Sequence, residues 1–382
     1  MATDNSSQPD SACTVETITT AAGLESLAAE WDDLVRAMAR PSPFLLHGWL
    51  VEWWRHFGPG RTLAVAVAKR QGRLVGAAPV YVARARGVRV ARFLGAHESS
   101  LGDLLLAPGE DRGTGLLLVN ELLEQPFDYA DFYGLPAASI LAGSAQPRFV
   151  ERVDAPVLEM PDGWEAAYAA KTSSKQRNLH RRRLRQLGEV GPVEFVISRT
   201  REEIEPALEE AFQLHELRWR GRPDGSTFGT QTGREFHRAA ARRLADADLV
   251  RIVLMRVDGR PAAFHYIFAL DGVMLSHRLG FDPALARYSP GLVTTLETLR
   301  AASELGLTRV EFLGGAERYK VELADGLEPL SEAIGLARTA VGSLAARRQL
   351  AVIALRKTLK RSERLQRLYL NGPAGKLRRH RQ

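Results

Sequence analysis

Cysteine is nearly missing: Cys13 is the only one in 382 residues. A single cysteine excludes an internal disulfide framework and fits a reducing compartment. With no histidine near it in sequence, Cys13 itself reads as inert. No run approaches the roughly 18 consecutive apolar residues that a membrane-crossing helix needs. The opening MATDNSSQPDSAC lacks a cationic stretch followed by an apolar one, so it does not read as a secretory signal. The histidines are scattered, with no His-x-x-x-His pair and no cysteine cluster, so no metal centre is expected. No Ser–His–Asp order stands out either. These absences together predict a cytoplasmic protein without a metal.

What is present is ordinary globular material, 45% hydrophobic and 25% charged, enough for two or three domains. The net charge of +7 is unevenly placed. From residue 331 onward there are thirteen Lys/Arg against two Glu, so the basic character belongs to the tail. Within it, Val352, Leu355 and Leu359 form an apolar stripe among arginines and lysines. Such a helix suits peripheral contact with an anionic membrane surface, docking on the body, or pairing with another subunit. Nucleic acid is not an expected partner, because the tail has few aromatics to stack on bases.

Residues 1–13 read as a flexible leader. An amphipathic helix over 24–39 and a second over 47–58 precede apolar runs at 62–84, folded into a hairpin at Gln71-Gly72. Strands at 88–95 and 102–108, a helix at 112–124 and a strand at 127–135 complete the first half. The second half repeats the order. A basic helix (173–188), a strand (193–198) and helices at 201–221 and 232–247 lead into three strands over 249–281. Asp258-Gly259 and Asp271-Gly272 mark tight hairpin turns between them, since both positions favour positive φ. A helix at 290–306 and a strand at 308–314 follow, the helix acting as a crossover between parallel neighbours. The expected architecture is α+β: two tandem units over 14–155 and 156–337, each a mixed, mainly antiparallel sheet flanked by helices, then a basic helical tail over 338–382.

The segment ARYSPGLVTT (286–295) carries the clearest chemical signal. Ser289 suits an N-cap, Pro290 the first helical position, and Gly291 leaves the backbone open. Free N–H groups of Gly291, Leu292 and Val293, with the positive end of the helix dipole, suit an anion, and Arg287 stands just upstream. Taken alone, the same residues also suit a plain helix start.

The order of meander, Gly-containing turn, helix and strand, followed by EFLGGAERYK (311–320), resembles the GNAT acyltransferase superfamily. More closely, the chain is similar to CelD/BcsL-type acetyltransferases associated with polysaccharide synthesis. These are built, like the Fem-type cell-wall transferases, from two tandem GNAT-like domains. The matching stretches include PFLLHGWLVEWWRHFG, LVGAAPVYV and SSLGDLLL in the first half, and KQRNLHRRRLRQL, FHRAAARRL, GRPAAFHYIFALDGVMLSHRLGFDP, YSPG and GGAERYK in the second. One feature departs from the pattern. The usual pyrophosphate loop is Arg/Gln-x-x-Gly-x-Gly/Ala, whereas RYSPGL has one glycine followed by leucine.

The resemblance implies an acyl-CoA-dependent N- or O-acetyltransferase, with acetyl-CoA as co-substrate in the second half and a small-molecule or glycan acceptor. In that scheme an amine or hydroxyl attacks the thioester directly, and catalysis is mostly positioning. Lys320 matches a lysine near the transfer site; Glu317 is a fallback base, and Tyr319 would share the open loop. His265 reads as a core histidine or a general base, and His277 is its cross-strand counterpart. Tyr288 suits proton delivery to the departing thiolate, or packing. Asp282 and Arg278 are substrate-side candidates, though Asp282 also suits turn initiation before Pro283. Two alternatives stay open: a Fem-type transferase using aminoacyl-tRNA, and an inactive scaffold in polysaccharide assembly.

Overall fold

The structure is a computed structural model that describes residues 12–110, 112–143, 148–219, 226–315 and 317–361. The leader therefore lies almost wholly outside the described residues, as does the tail beyond residue 361.

Strand β1 (Thr14–Ile18) opens the chain. The helix expected over 24–39 is two helices, α1 (Ala21–Glu25) and α2 (Ala28–Ala37), because Leu27 leaves helical geometry between them. The apolar stripe survives the break: Leu24, Leu27, Trp31 and Leu34 are all buried. Helix α3 (His47–Phe57) follows. The run 62–84 does not make one simple hairpin. It forms β2 (Thr62–Leu63), β3 (Val65–Arg70), β4 (Arg73–Ala78) and β5 (Val80–Ala85). β3 and β4 turn at Gln71-Gly72, both at positive φ. Pro79, which has no N–H for a ladder, then sends β5 into a different sheet. β6 (Val88–Phe93), β7 (Leu105–Leu106), α4 (Arg112–Leu123) and β8 (Tyr129–Pro136) end the first half.

β9 (Arg148–Glu159) runs across positions 155 and 156. Then come α5 (Trp164–Lys171), α6 (Ser174–Gly188), β10 (Val193–Ser198), α7 (Arg201–Trp219) and α8 (Gln231–Asp246). The meander is β11 (Val250–Val257), β12 (Arg260–Leu270) and β13 (Val273–Phe281). Asp258, Gly259, Asp271 and Gly272 all have positive φ, as such turns require. α9 (Pro290–Glu304), β14 (Arg309–Glu311), α10 (Arg318–Leu323), β15 (Gly326–Gly335) and α11 (Ala340–Arg361) complete the chain.

Eleven strands form one sheet in the order β10-β11-β12-β13-β14-β9-β15-β8-β6-β5-β2, and β1-β3-β4-β7 form a second. Pairing is antiparallel except at β6–β8 and β13–β14. Each exception is a strand, a crossover helix (α4 or α9) and a strand, so both halves repeat the same unit. Their shared core is aromatic. Trp49 of the first half packs edge-on against Phe236 and Phe268 of the second at 4.8 and 5.5 Å, and Phe44 meets Phe268 at 5.3 Å. Such pairs add about 0.5–1.5 kcal/mol each beyond burial.

Helix α11 docks on β6, β8 and β15, burying Ala346 and Ile353. The expected stripe is thus displaced: Leu355 faces solvent, and the Leu359 side chain lies outside the described residues. Among the described residues no helix is long and apolar enough to cross a membrane.

Candidate active site

β13 has nine residues but pairs with β14 over three, Val273–Leu275 against Arg309–Glu311. Beyond Leu275 the two strands part. A cavity of about 940 Å³ fills the fork, lined on one side by Ser276, His277, Arg278, Leu279 and Phe281, and on the other by Phe312 and Gly314. A β-bulge shapes its inner wall. The β12–β13 register passes from Ile267–Ser276 to Tyr266–Arg278, which leaves His277 as the extra residue.

The start of α9 opens into this cavity through Ser289, Gly291 and Leu292. Ser289 does not cap the helix as expected. It sits at φ 55°, ψ 52°, and its side chain makes no cap bond. A left-handed serine costs about 1–2 kcal/mol. The N–H of Val293 donates to the Ser289 carbonyl at 3.2 Å, and Val293 is buried away from the cavity, so it cannot serve as an anion donor. Gly291 and Leu292 stand in the first turn of α9, where the helix itself supplies no carbonyl four residues back for their N–H groups. A Cβ built on Gly291 would stand 3.2 Å from Phe281, on the side where the chain crowds the cavity wall.

Glu317, Tyr319 and Lys320 also line the cavity. The segment is not the open loop expected. After Leu313 and Gly315, both at positive φ, the chain enters the short helix α10. Lys320 is 7% exposed; its ammonium donates to the Gly314 carbonyl at 3.2 Å and pairs with Glu317 at 2.8 Å. Burial pushes the Tyr319 phenol up to about 12, with the neighbouring Thr295 hydroxyl pulling the other way. The cavity also takes Arg183 and His180 from the basic helix α6, and Arg218 and Trp219 from the end of α7. Arg218 donates to the Leu279 carbonyl at 2.9 Å and lies 5.2 Å from the Phe281 ring centroid. Arg183 belongs to the basic helix whose charges read either as a solvated face or as a landing surface for a phosphorylated acceptor, and it lines the cavity; nothing local in sequence marks Arg218.

Besides Val293, four of the expected residues lie elsewhere. His265 is 1% exposed and does not border the cavity; its Nε2 is 2.7 Å from the Ser276 hydroxyl. Burial, and then the Lys320 charge, push it down to about 3, which leaves it a weak proton acceptor. Asp282 caps a 3-10 helix over Pro283–Tyr288 by accepting from Ala284 N–H at 2.9 Å, so it initiates a turn. Arg287 bonds the Tyr288 hydroxyl and lies 4.6 Å from its ring centroid; the two engage each other, and neither borders the cavity. Arg278, in contrast, is in the cavity wall beside His277. Among the described residues no group of three or more His, Cys, Asp or Glu is placed to hold a metal ion.

Residues 174–321 match a family model described as an acetyltransferase (GNAT) domain. No curated protein matches the chain in sequence. Among solved structures, FemX is similar at 10% identity, covering 83% of this chain and 96% of that one with a TM-score of 0.56. The C-terminal domain of a putative lysylphosphatidylglycerol synthetase from Agrobacterium fabrum is similar at 12% identity, with 87% and 97% coverage and a TM-score of 0.54. L-PGS from Bacillus licheniformis is similar at 11%, with 78% and 90% coverage and a TM-score of 0.51. At these identities the likeness concerns the fold. The chain has an α+β, GNAT-type fold in two tandem halves, and the stretch matched by the acetyltransferase (GNAT) model lies in the second.

Proposed function

We propose that this chain transfers an acyl group from an acyl-CoA, acetyl-CoA in the first instance, to a hydroxyl or amine of a sugar, polysaccharide or cell-envelope precursor, as CelD/BcsL-type acetyltransferases would. One observation carries the reading: the uncapped first turn of α9 opens into the strand fork, within a domain matched as a GNAT acetyltransferase. Gly291 and Leu292 would hold the donor's diphosphate through their N–H groups, with Arg183 and Arg218 nearby as counter-charges. The thioester supplies an activated carbonyl. Lys320, fixed by Gly314 and Glu317, is suited to stabilising negative charge on its oxygen. Glu317, whose side chain is 56% exposed, is the carboxylate available to take the acceptor's proton.

Isothermal titration with acetyl-CoA tests the donor: the wild type should bind and Gly291→Glu should not. Silence in the wild type removes the reading.

A second reading, transfer from aminoacyl-tRNA, draws on the single-glycine turn and on basic helix α6 at the cavity rim. Incubation with charged tRNA and a peptidoglycan precursor decides it, and absence of transfer discards it.

A further inference from the structure

At the inner end of the cavity several polar atoms are sealed from solvent without a partner. The bulge at His277 sends His277 and Arg278 toward the same face of β13, the one covered by the first half of the chain. There the His277 ring packs against Phe44, Trp49, Tyr266 and Phe268, at centroid distances of 5.0–5.6 Å. Arg278 Nη2 donates to Glu98 Oε2 at 3.1 Å, and His237 Nε2 is 3.0 Å from the same oxygen. Glu98, His237 and Tyr266 are each at most 2% exposed. Yet Glu98 Oε1, His237 Nδ1, both nitrogens of His277, Arg278 Nε and the Tyr266 hydroxyl have no partner among the described residues. Each such atom costs about 1–3 kcal/mol unless something satisfies it. Of this cluster, His277 and Arg278 border the cavity together with Ser100, so a bound molecule meets its edge, while Glu98, His237 and Tyr266 stand behind that edge.

The charges define what fits. Glu98 and Arg278 cancel. Burial pushes the imidazoles of His237 and His277 down, which keeps both neutral. The subsite therefore offers donors and acceptors with no net charge. An ammonium would be repelled by Arg278 at the wall, and the Glu98 charge directly behind Arg278 offsets its pull on a carboxylate, whereas a hydroxyl both gives and accepts. Trp219, Phe264 and Phe281 supply apolar faces in the same cavity.

We infer that the fork's inner end is the acceptor subsite, that it takes a neutral polyhydroxyl group such as a sugar ring, and that Glu98 of the first half sets this selectivity by balancing Arg278. The inference rests on the reading of the cavity as an acyltransferase site. Ser100 and Arg278 touch the acceptor, and Glu98 and His237 are positioning residues.

The test uses the full chain and three probes differing in charge: methyl β-glucoside, methyl β-glucosaminide and methyl β-glucuronide, titrated beside acetyl-CoA. The neutral glucoside should bind about tenfold more tightly than either charged probe, one such step being about 1.4 kcal/mol. Arg278→Gln leaves Glu98 unbalanced and should move the preference to the glucosaminide. Glu98→Gln should move it to the glucuronide. A merely structural role would weaken all three probes alike. Retained acetyl-CoA binding verifies that each variant folds. If Glu98→Gln does not fold, Arg278→Gln carries the test, its side chain being 26% exposed. Acetyl-CoA binding with no binding of the glucoside overturns the inference and spares the donor reading. Glucoside binding with the expected charge preferences but no acetyl-CoA binding does the reverse. A wild-type preference for a charged probe, or variants with unchanged preference, also overturns it.

Discussion

The Nε2 atom of His265 lies 2.7 Å from the hydroxyl of Ser276, and of the two only the serine borders the cavity. Holding that imidazole at about 3, against 6.5 in the unfolded chain, ties stability to pH. Below 6.5 the unfolded chain takes up a proton that the folded chain refuses. The contribution is therefore complete above 6.5 and is lost as pH falls toward 3, by up to about 1.4 kcal/mol per pH unit for this one group. Unfolding temperature should drop between pH 6.5 and 4. His265→Gln should flatten part of that slope while leaving transfer at pH 8 within about threefold, the reverse of what loss of a general base would give. Thermal scans and a pH–rate profile measure both.

Asp103 should act in the opposite sense. Burial pushes its carboxyl up to about 7, although Leu104 N–H and the Ser139 hydroxyl donate to it at 2.8 and 2.6 Å. The folded chain then holds a proton that the unfolded chain has released. Stability contributed by this group falls as pH rises from about 4 through 7. Asp103→Asn should leave the unfolding temperature unchanged at pH 4 and raise it at pH 8 by about 2 °C, the effect of about 1 kcal/mol in a chain of this size.

Gly291→Ala and Gly291→Glu should separate space from charge. The alanine Cβ would stand 3.2 Å from Phe281, a contact that a small shift relieves. Acetyl-CoA affinity should fall by less than about tenfold for alanine, and below detection for glutamate, which sets a negative charge against the diphosphate. Calorimetry reads the pair.

Lys320→Met removes the buried ammonium that holds Gly314 and Glu317. Turnover should fall about a hundredfold or more, as for loss of a single oxyanion donor, with the KM for acetyl-CoA changed little. Glu317→Gln should cost less if Glu317 only restrains Lys320, and as much if it takes the acceptor's proton. A thiol-release assay distinguishes these cases.

The regular elements that sequence made legible are those with a local cause. Helices α3, α6 and α8 follow their apolar spacing, and the meander follows its two Asp-Gly turns. β15 was hidden because GLEPLSEAIG has no clean alternation; it is a strand because β8 and β9 flank it on both sides. The Ser289–Leu292 turn could be read as a unit because it is contiguous. For His265 the alternation places the residue on a strand, but depth below the cavity is a tertiary property. Glu98 and Ser100 from one loop, Arg183 from α6 and Arg218 from α7 reach the site from three separate parts of the chain, and the distance between those parts in sequence carries no trace of that meeting.

The central place of β15 has a consequence for synthesis. It lies between β8 and β9, yet residues 137–325 are made after β8 is finished and before β15 begins. On the ribosome, at roughly 5–20 residues per second, the first half waits on the order of ten seconds or more with a bare strand edge. Such edges invite pairing with other chains. A nascent polypeptide arrested before residue 326 should thus engage chaperones or aggregate, and the arrival of β15 joins β8 to β9 in one continuous sheet.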